Sequence, residues 1–394
     1  MTPEPGEDDR GLSRRALLLG AGFAAGAAGV AAAVVRSGGT PDEGNESDDG
    51  TESTVEGAPV AATGAHQAGV SRPEVPQSHC IVAVADVDLA ALEASLAALG
   101  GRILDVTDAG APLRDLTPDG PGDLTVTVGL GERALAGTRH PDLAAAVALP
   151  AFAGDDALSP ERLGGDILIS VNATDPGVLE PVLDHLAAAV DGFRLRWSEL
   201  GFRGPTDEGV TRNPFGYFDG IIVPRTRAEL DADVWIADGP LSGGTICVIR
   251  QFRLDTAGFR ALAPDRRDAI VGRHQQDGTP LSGGDRMDPV DLSAKSDAGE
   301  LLVPAHAHAR AAHPSFTGSG LMLRRSYNYR TSAADQGHLF ISYQNDVQMF
   351  ARTQLRLDES DDLMAFSTPA ATAAFAVLPG VSHAGAALGA TLFN

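Results

Sequence analysis

From residue 79 onward the chain moves between two hydrophobic rhythms, one with a period of two and one with a period near 3.6. His79-Cys80-Ile81-Val82-Ala83-Val84 reads as a strand. Asp88 to Leu99 spaces Leu and Ala as a helix does, and Gly100-Gly101 is expected to end it. Asp123 to Leu130 alternates like a strand, Pro141 to Ala148 suggests a short helix, and Asp166 to Val171 is a strong strand. Asp175 to Val190 sets Val178, Leu179, Val182, Leu183, Leu186 and Val190 on one helical face. Phe193 to Trp197 follows as a strand.

The second half repeats the alternation. Gly244 to Leu254 is a long strand, and Asp255 to Val271 has helical spacing. Gly272 to Pro314 is loop-rich, with Gly278, Pro280, Gly283, Gly284 and Pro289. Gly320 to Tyr329 leads into a buried strand, His338 to Tyr343, and Asn345 to Leu357 is a helix. The first half has the β-α-β … β-α-β order of a ferredoxin-like unit, and the second alternates β and α around an antiparallel sheet. The expected fold class is therefore α+β, with one such domain over 73–211 and another over 212–394. Two similar halves suggest an internal duplication, although no residue-level repeat is visible.

The first 72 residues have a different character. Ser13-Arg14-Arg15 precedes an uncharged run, Ala16 to Val35, rich in Ala, Gly, Leu and Val. A basic stretch before an apolar one is a signal-peptide pattern, and the twin arginines point to the Tat route, which exports folded proteins. Residues 1–36 are thus expected to direct export, to the cell envelope or beyond, with cleavage near Ala31–Ala33. Left uncleaved, the run is long enough to anchor the chain in a membrane. From Ser37 to Ser71 the chain is acid-rich and lacks Lys and Arg, so residues 37–72 are expected to form a disordered linker.

The totals narrow the function classes. With 394 residues and 43% hydrophobic content, a sizeable core can form. A net charge of −23 argues against nucleic-acid binding, which needs basic patches. The two cysteines, Cys80 and Cys247, lie in no CxxC pattern, so a thiolate metal site is not expected. They are either a disulfide or two buried thiols.

Three stretches carry candidate chemistry. In Arg212-Asn213-Pro214-Phe215-Gly216-Tyr217-Phe218-Asp219-Gly220 a single carboxylate stands among aromatics, framed by glycines. An apolar wall raises a carboxylate's pKa and suits it to proton transfer, while the plainer alternative is a buried turn capped by Asp219. Three of the ten histidines, His306, His308 and His313, fall between Pro304 and Pro314. A divalent-metal site, a solvated loop and one axial haem ligand compete there, and spacing alone favours the loop. Finally Arg324-Arg325 follows the apolar triplet Leu321-Met322-Leu323, so at least one guanidinium should point inward and need a polar partner.

Taken together these stretches resemble the dye-decolourising peroxidases, a family of haem peroxidases. Gly216-Tyr217-Phe218-Asp219-Gly220 matches the family's GxxDG signature. Val234-Trp235, Gly243-Gly244-Thr245, Gly278 to Gly284, Pro304 to Pro314, Leu323 to Tyr327 and Leu339 to Asp346 follow in the family's order. The likeness runs from about residue 76 to the last residue, and the export signal fits the exported, deferrochelatase-like branch. Where the family usually continues after Gly220 with Thr and, two residues later, Asn, this chain has Ile221-Ile222-Val223-Pro224.

The resemblance implies haem b enclosed by the two α+β domains, with hydrogen peroxide and organic electron donors as partners. His308, in a His-x-Arg pattern, looks like the proximal iron ligand, with His306 and His313 incidental. Asp219 looks like the distal acid–base and Arg324 like the distal arginine that stabilises charge as the O–O bond breaks. Arg325 is placed to face a haem propionate, Phe340 belongs to the pocket, and Asp346 looks like the acid that orients His308. Bulky donors would then be reached by electron transfer through Tyr or Trp, with Trp197, Trp235, Tyr217, Tyr327, Tyr329 and Tyr343 as candidates, each also explicable as plain core. The alternative function within the same resemblance is a haem-handling protein that removes iron from haem. Oligomeric state is left open, a homo-oligomer included.

Overall fold

The computed structural model describes residues 57–394 apart from Pro112, Arg114, Ala333 and Ala334. The expected export signal and residues 37–56 of the expected linker lie outside the described residues.

In chain order the strands are β1 (His79–Asp86), β2 (Thr125–Leu130), β3 (Ile167–Ala173), β4 (Arg194–Phe202), β5 (Thr211–Arg212), β6 (Phe218–Asp219), β7 (Thr245–Leu254), β8 (Leu323–Arg324), β9 (Tyr327–Arg330), β10 (Gln336–Gln344) and β11 (Ser367–Val377). The helices are α1 (Leu92–Thr107), α2 (Glu132–Ala136), α3 (Leu179–Ala187), α4 (Arg227–Asp233), α5 (Thr256–Ala261), α6 (Pro264–Val271), α7 (His308–Ala311), α8 (Pro314–Thr317) and α9 (Val347–Ser360).

The first half pairs as β4-β1-β3-β2 and the second as β11-β7-β10-β9, the same antiparallel arrangement twice. This is the two-fold ferredoxin-like α+β architecture that the hydrophobic pattern predicts. The halves meet at two short seams. Ala376 and Val377 of β11 pair with Leu130 and Gly129 of β2, and Phe202 of β4 pairs with Asn328 of β9. Because β7 also pairs with β10, the strands form a closed ring.

Strand alternation sorts the side chains into two layers. Leu339, Ile341 and Tyr343 of β10 point into the ring, where they join Val82, Trp197, Ile249 and Phe375. Cys80 and Cys247 are buried in that same cluster as free thiols, and burial pushes both well above the ordinary thiol range. The outward face of the first half is covered by α1 and α3, through residues such as Leu96, Leu99, Val182 and Leu186. On the second half, α9 supplies Val347 and Phe350 to this outer layer. All six Tyr and Trp candidates for electron transfer are buried.

Four local expectations are corrected. Gly100-Gly101 does not stop α1, which continues to Thr107. A Cβ on Gly100 would stand 3.1 Å from the Leu388 Cβ, so the glycine serves a close approach rather than a helix end. The helix expected over Asp255–Val271 is two, because Pro264 takes the first turn of α6 after a break at Ala263. Strand β11 was not foreseen: Ser-Thr-Pro-Ala-Ala-Thr-Ala-Ala-Phe-Ala-Val is too uniformly small to show alternation.

The fourth correction concerns residues 57–72, expected to be linker. They include chain packed on the ring: Thr63 bridges Val381, His66 bridges Pro379, and Val70 is buried. The Gln67 amide donates to the carbonyls of Val128 and Leu378 and accepts the Val128 N–H. A buried amide satisfied three times fixes this stretch to β2, which composition does not reveal.

Candidate functional site

On the outer face of the second half, β6, β7, β8 and β10 together with α6 to α9 enclose a cavity of about 260 Å³. Its lining is mostly apolar, with Phe218, Ile222, Phe252, Val290, Phe340 and Leu363 among the walls. The polar groups are few. They include Asp219, Arg273, His308, His313, Arg324 and His338.

Asp219 is placed by a tight turn. Gly216 and Gly220 flank it with φ values of 89° and 80°, conformations that glycine adopts freely. Thr211 of β5 pairs with Asp219 of β6, so the segment is a short hairpin. Within it Asn213 Oδ1 accepts the N–H groups of Phe215 and Tyr217, and the Tyr217 hydroxyl donates to Asp268 at 2.6 Å. The Asp219 carboxylate is thereby held at the cavity wall, where it accepts the Gly220 N–H at 2.6 Å.

Two side chains address the same carboxylate. Arg324 Nε lies 3.7 Å from Oδ1, and its Nη1 donates to the Ile222 carbonyl at 3.0 Å. His338 Nε2 lies 3.3 Å from Oδ2. Burial pushes the Asp219 carboxyl up, but the His338 hydrogen bond and charge, Arg324 and the Gly220 N–H outweigh it and hold the group well below the usual carboxylate range. The raised pKa expected from the aromatic surroundings is therefore corrected, because those surroundings also contain two donors that the local sequence does not show.

His308 opens α7, and its ring lines the cavity. Its Nδ1 lies 2.6 Å from Oδ2 of Asp361. Burial pulls the ring's pKa down, but Asp361 outweighs it and the ring is held above its ordinary value. With Nδ1 taken by Asp361, Nε2 is the nitrogen left to bind a metal. His306 instead turns its Nδ1 to the Ser360 carbonyl, and His313 caps α8 by accepting the Ser315 N–H. His313 also lines the cavity.

Asp219, Arg324, His308 and Phe340 are thus brought to one cavity, and two expected residues are not. Asp346 is the N-cap of α9, accepting the Gln348 N–H at 2.9 Å, and Asp361 takes the place beside His308 that was expected of it. Arg325 follows Arg324 on the other face of the strand and donates to the Pro73 and Glu74 carbonyls, away from the cavity. Burial pushes its guanidinium down to about 10. The cavity's second guanidinium is instead Arg273, which donates to the carbonyls of Gly278, Arg286 and Asp288.

His338 and Asp361 were missed for different reasons. His338 lies two positions before Phe340 on one strand, so placing Phe340 in the pocket already places His338 beside it. Asp361 stands among Asp358, Glu359 and Asp362, and no spacing rule separates these four acids.

The donor set fits haem. An imidazole backed by a carboxylate suits an axial ligand, the walls suit an apolar macrocycle, and Arg273 and Arg324 offer positive charge to carboxylate substituents.

Comparison with known proteins bears on this geometry. Residues 67–203 match the family described as Dyp-type peroxidase, N-terminal, and residues 210–382 match Dyp-type peroxidase, C-terminal. A dye-decolorizing peroxidase of Thermobifida fusca is 33% identical over 423 residues, covering 95% of this chain and 96% of the relative. A deferrochelatase of Yersinia pestis is 28% identical, covering 97% of this chain and 95% of the relative. Among solved structures, the oxyferrous complex of DtpA from Streptomyces lividans superposes with a TM-score of 0.79 at 28% identity, covering 86% of this chain and 98% of that one. The DyP-type peroxidase of Cellulomonas bogoriensis gives a TM-score of 0.75 at 31% identity, covering 85% and 98%.

Proposed function

The chain belongs to the Dyp-type peroxidase family, and from that premise we propose how its own residues divide the work of a haem peroxidase. The family's reaction spends hydrogen peroxide and oxidises organic donors. We read the group as haem b, whose iron His308 Nε2 would hold, with Asp361 fixing the imidazole and making it a stronger donor. When bound, haem supplies the iron that takes oxidising equivalents from peroxide and passes them to the donor.

Asp219 is the proton-moving group. Held ionised, it accepts a proton from one peroxide oxygen and returns it to the other, which leaves as water. Arg324, anchored on the Ile222 carbonyl, directs its charge at the oxygen that becomes negative as the O–O bond breaks. Phe218, Phe252 and Phe340 keep bulk water from the reacting atoms. Electrons from bulky donors pass through buried Tyr and Trp side chains.

One observation carries this reading: Asp219, Arg324 and the Asp361-backed His308 line a single, mainly apolar cavity. The test is an absorption spectrum with stopped-flow peroxide mixing. The full chain should show a Soret band. Asp219→Ala and Arg324→Ala should keep that band yet react with peroxide at least about a hundred-fold more slowly. Undiminished rates in both variants would overturn the reading. Recovery of iron-free protoporphyrin after incubation with haem would instead favour the deferrochelatase activity named for the Yersinia relative. Export is read from Arg14-Arg15 and the apolar run after it, and replacing both arginines by lysine should block it.

A further inference from the structure

His338 approaches Asp219 more closely than Arg324 does, 3.3 Å against 3.7 Å. The ring is carried by β10, which is paired on both sides: His338 stands opposite Asn328 of β9 and Phe252 of β7. Such a position leaves the side chain little freedom. The ring's other nitrogen, Nδ1, is buried and has no hydrogen-bond partner among the described residues. Nε2 is thus the ring atom that meets Asp219, while Nδ1 meets no polar group among them.

A second feature bears on the same pair. Asp219, Gly220, Asn213, Arg324 and His338 line the cavity and also a separate small pocket of about 10 Å³, close to the space one water needs. Arg203, Thr211, Arg212, Ser326 and Asn328 complete that pocket, and all are polar. The charged and titratable groups around the ring are Asp219 from β6 and Arg324 from β8, with Arg203 and Arg212 across the small pocket and Arg273 and His308 across the cavity. β7 and β9 present Phe252 and Asn328, which carry no charge.

We infer that His338 is a positioning residue for the peroxide reaction: its Nε2–H fixes Oδ2 of Asp219 and keeps that carboxylate available as a base into the acid range. The inference rests on the reading of Asp219 as the proton-moving group. No net proton change on His338 is needed in a turnover. Asp219 takes the peroxide proton and gives it back, while the imidazole keeps its own. The lowered Asp219 pKa, caused in part by this hydrogen bond against the effect of burial, agrees with the geometry.

The test has two arms on the full chain. Histidine-labelled protein loaded with diamagnetic zinc protoporphyrin should give a slowly exchanging ring Nε2–H signal that disappears in Asp219→Ala. In the haem-loaded protein, His338→Leu should move the acid limb of the peroxide reaction up by about one pH unit or more, because the carboxylate loses a donor in a buried site. His338→Gln, which restores a donor without a titrating ring, should return the limb to within a few tenths of a unit. An unmoved acid limb in His338→Leu, or the absence of a protected ring N–H, would overturn the inference. If Asp219→Ala itself leaves the peroxide rate unchanged, the parent reading fails instead.

Discussion

His308 Nδ1 lies 2.6 Å from Oδ2 of Asp361, while Oδ1 of the same carboxylate accepts the Leu363 N–H at 2.8 Å. The Asp361 N–H in turn closes α9 by donating to the Leu357 carbonyl. The acid is thus fixed from both sides by a helix junction, and the imidazole takes its orientation from it. Asp361→Asn removes the charge while keeping an acceptor, and should weaken haem binding ten- to a hundred-fold. Asp346→Ala should leave haem binding unchanged and cost about 1 kcal/mol of stability through the lost helix cap. Haem titration and thermal melts of the two variants separate the roles, and weakened binding in Asp346→Ala would return that acid to the site.

The strand and helix pattern was legible wherever periodicity was strong. The ring closure was not, because it depends on two short seams, Val377 with Gly129 and Phe202 with Asn328, that carry no pattern of their own. Asp219, His308 and Arg324 were legible through motifs. Arg325 was not, although strand alternation alone sends it to the face opposite Arg324. Asp361 could not be chosen among its acidic neighbours, since only the packing of α7 on α9 brings it to His308.

Asp219 should shape the acid limb of stability. Its folded pKa lies below the unfolded value of about 3.9, so its ionised form contributes stability above that value. The contribution is lost as pH falls through the folded value. Asp219→Asn, which cannot ionise, should therefore melt below the parent near about pH 6, with the gap closing below about pH 4. Melting curves that stay parallel across this range would show that the carboxylate is not held ionised.

Arg250 and Asp155 form a buried ion pair, with Arg250 Nη2 2.9 Å from Oδ1 and side chains 0% and 6% exposed. The guanidinium also lies over Phe152 and Phe252. Asp155→Ala strands a buried cation and should cost about 3–5 kcal/mol in urea unfolding. Replacing both partners, Arg250→Met with Asp155→Leu, should recover most of that loss. A cost below about 1 kcal/mol for the single variant would mean that the charge finds water.

Gly337 precedes His338 at the start of β10, opposite Arg253. A Cβ at this position would overlap the Phe252 carbonyl oxygen of β7 and crowd the Tyr329 ring of β9. Backbone cannot yield as a flexible side chain does, so Gly337→Ala should push β7 and β10 apart where His338 and Phe252 face each other. The expected cost is about 1–3 kcal/mol, an overpacking penalty. Because the displaced residue is His338, the same variant should also move the acid limb of the peroxide reaction in the direction of His338→Leu. Loss of stability with an unmoved acid limb would mean that the strain is absorbed at β9, away from Asp219.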